Sequence, residues 1–513
     1  MTDPPLEKVR KRSFLAVFRR RWHFVAATVA LLAMVAAALA LYVFFGGKGR
    51  LEAARNAARA KGYALSLGEI VARFPPIPDE ANAARLYERA FKEFEAKAGG
   101  AKADSVPLFT QLRYRAASSS DPRVAQAISD FNRVNMNPAT PLPAYMLADA
   151  KAFAMERREI LDLVHRAAGI PDARYRDSWN AENWLVSYAP NLGRFHYLAE
   201  LAVLAAWVDA EEGRPHESAE SIRDAIAVAR SLRSERAWGG LVVRPFAPAE
   251  PPVSSICEGL EHVLARTDIS STDLESLQSD LEGLAGETSA RVALEVDLAY
   301  LTQKYDAVAA GELELRRLVH PADYFPGIQV EQARARIDEL PFWLMAPVVR
   351  NDVAAAMEYI TGVLDNADKP PVSFLTSGWP QAPQGRYSLA VEARRGHDTA
   401  RQAAIDRVKL RCAAVALAAL RFRNDTGKWP ETLDALVPRY IRAVPIDEFS
   451  GRPLLYAAYE DRITVYSVGA NGRDEFGSER YDCFVGYYEV TRDIPFDIYE
   501  RGAKGDTQDN GAI

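Results

Sequence analysis

Cysteine is scarce in this chain, with three in 513 residues. Cys257, Cys412 and Cys483 lie far apart, with no Cys-x-x-Cys pair and no cysteine–histidine spacing, which argues against a disulfide framework and against a zinc finger. One disulfide stays open. Cys412 falls in an apolar helix, where a thiol behaves as a small core group, so Cys257 and Cys483 are the less constrained pair. Histidine is as sparse: the seven residues His23, His165, His196, His216, His262, His320 and His397 show no ligand spacing. His216-Glu-Ser-Ala-Glu220 opens like a zinc-peptidase motif but carries Glu where the second His is needed, and it reads as a solvated helix start. Neither Gly-x-Ser-x-Gly nor a Gly-rich phosphate loop after a strand is present. A surplus of one charge sign is lacking too. The formal charge is −6, and beyond the N-terminus basic residues alternate with acids, so nucleic acid is not an expected partner. Composition is that of an ordinary globular chain, 49% hydrophobic and 26% charged, long enough for several domains.

What is present begins at the N-terminus. Lys8, Arg10, Lys11, Arg12, Arg19, Arg20 and Arg21 mark residues 1–22 as a basic cytoplasmic tail, and no charged residue occurs from Phe24 to Phe45. At about 1.5 Å per residue that run covers roughly 33 Å, enough for a hydrocarbon core of about 30 Å. A transmembrane helix is expected over 23–46, with membrane contact through 24–45. The basic side stays in the cytoplasm and the bulk lies outside, which predicts a single-pass protein of the bacterial inner membrane. Ala38-Leu39-Ala40 resembles a signal-peptidase site, but Leu41 to Phe45 prolongs the apolar run, favouring an uncleaved signal anchor.

Residues 51–368 read as an extracytoplasmic α-helical body. Asp79 looks like the N-cap of a helix carrying Ala83, Leu86, Tyr87 and Phe91, with Glu80 beside it where the helix dipole favours acids. Met146 to Ala168 reads as one helix, followed by an aromatic segment at Trp179, Trp184 and Tyr188. Within 192–233, Tyr197, Leu201, Leu204 and Val208 form one stripe and Ala219, Ile222, Ile226 and Ala229 the returning one, across a turn at Gly213-Arg-Pro215. This αα-hairpin resembles a single tetratricopeptide unit, without a second unit one repeat on. Further helices are expected over Ser255–Arg266, Thr272–Leu284 with a capping box at Ser271-Thr-Asp-Leu-Glu275, Thr288–Leu318, Gln329–Ile337 and Pro347–Leu364. Pro- and Gly-rich residues 369–388 form the linker to a C-terminal module, 389–513. The fold class is therefore mainly α, with a C-terminal α+β module holding a small antiparallel sheet.

In that module, the helix Ile405–Phe422 carries charge only at its ends, so Cys412 to Leu420 must be buried all round. Gly427 is a left-handed cap, Trp429-Pro430 opens a short helix with Leu433 and Leu436, and two extended runs, one ending at Tyr456 and one at Ile463–Val468, flank a turn at Glu460-Asp-Arg462. The apolar helix, Gly427-x-Trp-Pro430, the Leu-x-x-Leu helix, the Pro-x-Asp-x-Phe-x-Gly run from Pro445 to Gly451 and Ser467-Val-Gly-Ala-Asn-Gly-Arg-Asp474 together resemble the globular part of the major pseudopilins of type II secretion. That resemblance implies a calcium loop with Asp474, Glu475, Asp482 and Asp493 as its oxygen ligands. The upstream part, with Ile77-Pro-Asp-Glu-Ala-Asn-Ala-Ala-Arg-Leu-Tyr87 and the hairpin, resembles membrane-anchored proteins of planctomycete-type bacteria and implies no activity.

The expected function is that of an extracytoplasmic structural or protein-interaction protein of the cell envelope, with a protein partner and no organic cofactor. The alternatives are an extracytoplasmic hydrolase whose groups converge from distant positions, and a calcium-dependent assembly subunit related to secretion.

Overall fold

A computed structural model describes residues 6–73, 77–98, 126, 129–130, 133–134, 137–175, 192–234, 252–313, 315, 342–367, 369–370, 389–477 and 493–500. The aromatic segment at Trp179, Trp184 and Tyr188, the helix expected over Gln329–Ile337, most of the 369–388 linker, and Asp482 and Cys483 lie outside them. The protein is mainly helical, with one three-stranded antiparallel sheet. Contacts divide it into two compact units: the first holds Met1–Leu65, Leu301–Tyr359 and Ala382–Ala393, the second Ser66–Tyr300, Ile360–Gln381 and Arg394–Ile513.

The first unit contains α1 (Leu6–Phe45) and α2 (Lys48–Ala60). The side chains of Val25–Tyr42 are all exposed, with mean hydropathy 2.3, so this is a helix long and apolar enough to cross a membrane. Gly46 and Gly47 separate the two helices, Gly47 at φ 75°, a left-handed conformation that costs glycine nothing. The unit also receives the end of α11 (Arg291–Ala309) and most of α12 (Phe342–Leu364). Arg55 pairs with Asp306, and Tyr305 meets Phe342 edge to face.

The second unit is built on one continuous hydrophobic core. Its helices are α3 (Leu67–Val71), α4 (Ala84–Ala98), α5 (Ala144–Glu156), α6 (Arg158–Ala168), α7 (Leu192–Glu211), α8 (Pro215–Ser234), α9 (Pro252–Arg266) and α10 (Ser271–Glu287). The hairpin of α7 and α8 is the centre of this packing: α9 and α5 lie on α7, while α10, α9 and α6 lie on α8. Its turn forms where the sequence stripes reverse, at Gly213 with φ 72°. Ser218 sits in the seam, its hydroxyl donating to the Ala206 carbonyl at 2.8 Å, so a small polar residue lets the two helices approach closely.

Local rules were overridden in three places. Asp79 opens a single 3-10 turn, Asp79–Ala81, and accepts from Arg85 Nε at 2.9 Å; it does not cap α4. Asn82, 1% exposed, takes that place. Its Oδ1 accepts from the N–H groups of Ala84 at 3.1 Å and Arg174 at 2.7 Å, and its amide donates to the Arg174 carbonyl at 2.8 Å. The cap is thus also a long-range staple. The single helix expected over Met146–Ala168 is broken at Arg157, which leaves helical geometry at φ −107°, ψ 18° and lays its guanidinium 3.5 Å from the Phe153 ring centre. The capping box of α10 starts one residue early: Ser270 accepts from the Asp273 N–H at 3.1 Å and donates to the Asp273 carboxylate at 2.8 Å.

The C-terminal residues belong to the same core. Helix α13 (Leu389–Thr426) buries every side chain from Cys412 to Ala419. At the borders of that run, charges find partners: Arg407 and Arg411 converge on Glu448, with Arg407 also donating to the Thr288 carbonyl, and Arg421 reaches Gln278 at 2.9 Å. After the left-handed Gly427 (φ 77°), Trp429 donates to Glu500 at 2.7 Å, and Leu433–Leu436 forms a 3-10 turn. The sheet comprises β1 (Leu455–Ala458), β2 (Arg462–Ser467) and β3 (Ile494–Tyr499) in the order β1-β2-β3. Ile463, Val465, Phe496 and Ile498 bury one face, and the Cys412 thiol reaches the Ile494 carbonyl at 3.8 Å. The third strand was not anticipated.

Candidate functional site

The loop expected to hold calcium follows β2. Gly469, Gly472 and Gly477 all adopt positive φ, which winds residues 468–477 tightly. At Gly477 a Cβ would meet Thr464 Cγ2 at 2.8 Å, so the loop lies directly on the sheet. Asp447, from the Pro-x-Asp-x-Phe-x-Gly run, fixes the base. Its carboxylate accepts from the Ser467 hydroxyl at 2.6 Å, the Phe449 N–H at 3.0 Å and the Val468 N–H at 3.4 Å.

Three of the four candidate acids fall here, in different roles. Asp474 accepts from the Tyr466 hydroxyl at 3.0 Å and the Phe476 N–H at 2.8 Å. Glu475 accepts from the Asn471 amide at 2.7 Å. Asp493, expected as a loop ligand, is buried; one of its oxygens accepts from the N–H groups of Glu475 at 3.0 Å and Gly477 at 2.7 Å. Burial pushes its pKa up to about 6; the Gly477 N–H opposes the rise and the neighbouring Glu475 carboxyl adds to it. Asp482 lies outside the described residues. Calcium takes six to eight oxygens, and among the described residues no group of three His, Cys, Asp or Glu side chains is placed to hold a metal. Asp493 is met by N–H donors, which serve a carboxylate and not a cation. The described residues do not by themselves make a calcium site.

Histidine–carboxylate pairs, which sequence spacing did not signal, recur through the second unit. His165 Nδ1 lies 3.2 and 3.1 Å from the oxygens of Asp224, joining α6 to α8; burial pushes Asp224 up to about 6 against the opposing effect of His165. His216 starts α8 exposed, as expected, and its ring meets Asp273 of α10 at 3.2 Å, which raises the imidazole pKa. His262 on α9 is buried, 1% exposed and stacked on Trp207 with centroids 4.2 Å apart. Its Nε2 is 3.1 Å from Glu211 of α7. Burial holds this imidazole below its ordinary pKa in spite of that carboxylate. Glu211 also accepts from the Leu142 N–H at 3.1 Å and from Arg266. Burial opposes ionisation of Glu211, but these donors hold its pKa below the usual carboxylate range. Each of these three pairs ties two helices together, Glu211 also holding the backbone of Leu142 ahead of α5, and that is the chemistry the geometry supports. The partners are 51 to 59 residues apart in sequence, so no local motif could have revealed them.

No family model, curated protein or solved structure matches the chain.

Proposed function

We propose that this chain is a membrane-anchored structural or protein-interaction protein of the cell envelope, single-pass in the bacterial inner membrane, with its N-terminus cytoplasmic and the residues after the span outside. The observation that carries the reading is α1. The window Val25–Tyr42 is 0% buried, whereas the apolar run Cys412–Ala419 is packed inside protein. An apolar helix left bare in water is strongly unfavourable, at about 25 cal/mol per Å² of exposed apolar surface, so α1 belongs in lipid or against a partner. The basic residues ahead of it support the orientation. Polar and charged groups in the second unit clamp helices to one another or to neighbouring loops, as the bridges of Glu211, Asp224 and Glu448 illustrate, which suits a rigid platform for binding other proteins.

Membrane fractionation tests the anchor. The chain is expected to stay with the membrane after an alkaline carbonate wash and to be digested from outside in spheroplasts, leaving a short N-terminal fragment protected. Release by carbonate, or protection of the bulk of the chain, would overturn the reading. Cross-linking in intact cells before solubilisation is expected to give a discrete higher-mass species; a chain that stays monomeric under dense cross-linking argues against the interaction role.

A further inference from the structure

Helix α12 holds the chain as it leaves the span. A Cβ on Gly46 would lie 2.9 Å from Pro347 Cβ, and one on Gly47 would lie 2.9 Å from both Arg350 Cβ and the Pro347 carbonyl oxygen. Arg350 Nη1 donates to the carbonyls of Phe44 and Gly46, each at 3.2 Å. Farther out, Arg50 grips Glu358 with two hydrogen bonds of 3.0 and 2.7 Å. The pairings climb together: as the chain moves outward from Gly46 to Arg50, its contacts on α12 move from Pro347 to Arg350 to Glu358. Helix α12 therefore ascends away from the span, and its first turn points back toward it.

Residues 343, 347 and 350 recur at helical spacing, on one face. The face that clasps the end of α1 thus continues one turn toward the membrane, about 6 Å along the axis. At that position stands Trp343, 64% exposed, with Leu344 beside it. Both are large apolar groups left uncovered beside the end of the apolar run. We propose that the first turn of α12, through Trp343 and Leu344, inserts into the headgroup layer of the leaflet where α1 ends, giving the protein a second contact with lipid.

Three features fit that depth. The headgroup layer is about 5–7 Å thick on each side of the hydrocarbon core, comparable with the one-turn offset of Trp343 from Pro347. Tryptophan favours this layer, its ring toward the acyl chains and its N–H toward water. Pro347 has no N–H to give the Trp343 carbonyl four residues back, so this turn suits a level where water and headgroups supply donors and not the dry core. Lys48, its ammonium 4.0 Å from the Phe44 ring centre, sets a positive charge at the same level, where lipid phosphates lie.

The proposal rests on the membrane reading of α1, and its test separates the two. Full-length protein is reconstituted in phosphatidylcholine vesicles of three kinds: ordinary, brominated near the glycerol end of the acyl chains, and brominated near the bilayer centre. The emission that disappears on Trp343→Phe is obtained by difference; Trp343→Tyr gives the same subtraction should the phenylalanine chain not reconstitute. The difference emission is expected to be quenched most by the shallow bromines and to be shielded from acrylamide. Equal brightness in all three lipids, with free access to acrylamide, overturns the proposal. A carbonate wash of the native membranes decides the other question: a chain stripped by carbonate sinks the anchor, whereas a retained chain with an unquenched Trp343 sinks only the second contact.

Discussion

Two apolar helices in this protein have opposite surroundings. The centre of α13, Cys412 to Ala419, is buried on every side by protein, while α1 from Val25 to Tyr42 is bare on every side. Hydrophobicity alone does not separate them. The difference lies at the edges. On α13 the charged residues stand within a turn or two of the apolar centre and each needs a protein partner: Arg407 and Arg411 have Glu448, Arg421 has Gln278, and Arg423 has Glu500 at 2.8 Å. Between Phe24 and Phe45 of α1 there is no charge to satisfy. A helix meant for a protein interior can carry charges close to its apolar stretch because the fold supplies counter-ions; one meant for lipid excludes them for its whole length.

The largest expected effect breaks this comparison directly. Val415→Asp places a carboxylate where no partner waits, at a cost of several kcal/mol, a large fraction of the about 5–15 kcal/mol that holds a domain together. The second unit is expected to lose its cooperative thermal transition, read by circular dichroism. Leu32→Asp at the centre of α1 costs about 2.5–3.5 kcal/mol of membrane insertion. It should lower the membrane-bound fraction and leave the melting of the second unit unchanged. Equal loss of folding in both variants would show that α1 is part of the soluble core.

Next in size is Arg407→Ala. It leaves the buried Glu448 with Arg411 alone and also strips a donor from the Thr288 carbonyl. Removing one partner of a buried pair costs about 3–5 kcal/mol, and the remaining Arg411 contact places this variant near about 3 kcal/mol. Urea denaturation measures it. The double variant Arg407→Met with Glu448→Leu should recover part of the loss, because an apolar pair leaves less charge uncompensated.

The helix ends sharpen the contrast further. Gly47 and Gly427 share left-handed conformations, at φ 75° and 77°. Around Gly427 a Cβ would meet nothing within 4 Å, so Gly427→Ala should cost only the left-handed strain, about 1–2 kcal/mol, in the melt of the second unit. Gly47→Ala carries the same strain and also collides with Arg350 and the Pro347 carbonyl. Limited proteolysis next to residue 47 is expected to speed up in Gly47→Ala, with no matching change near residue 427 in Gly427→Ala.

How much of this was legible follows the range of each interaction. The bare span, the hairpin with its Gly213 turn, the buried centre of α13 and the Gly427 cap all came from periodicity or from residues within one turn. The cap of α4 did not: Asp79 has the better local credentials, but Asn82 wins because it also binds the backbone of Arg174, far along the chain. Strand β3 escaped notice because Pro495 interrupts its pattern and its partner β2 lies beyond a long intervening segment. The histidine–carboxylate bridges join helices with no fixed spacing, so composition could not signal them. Among the candidate calcium ligands, Asp474 and Glu475 fall in the loop after β2, where their sequence position puts them; the burial of Asp493 depends on β3 and was invisible without it.

The smallest expected effect concerns that carboxylate, which fixes the entry to β3 and thereby one wall around α13. Asp493 in the folded protein holds its proton up to about pH 6, higher than an ordinary aspartate. A carboxyl group with a raised folded pKa contributes stability fully present below its unfolded value of about 3.9, lost progressively as pH rises through about 6. Asp493→Asn cannot ionise, yet its side-chain oxygen can still accept from the Glu475 and Gly477 N–H groups. Relative to this variant, the natural chain should therefore lose melting temperature between about pH 4 and pH 6, the two curves converging toward acid. The comparison is made once with calcium and once with a chelator. A cation held by Asp493 and Glu475 would displace the Asp493 proton and abolish the pH step; with the N–H donors in place, the step is expected to be the same in both.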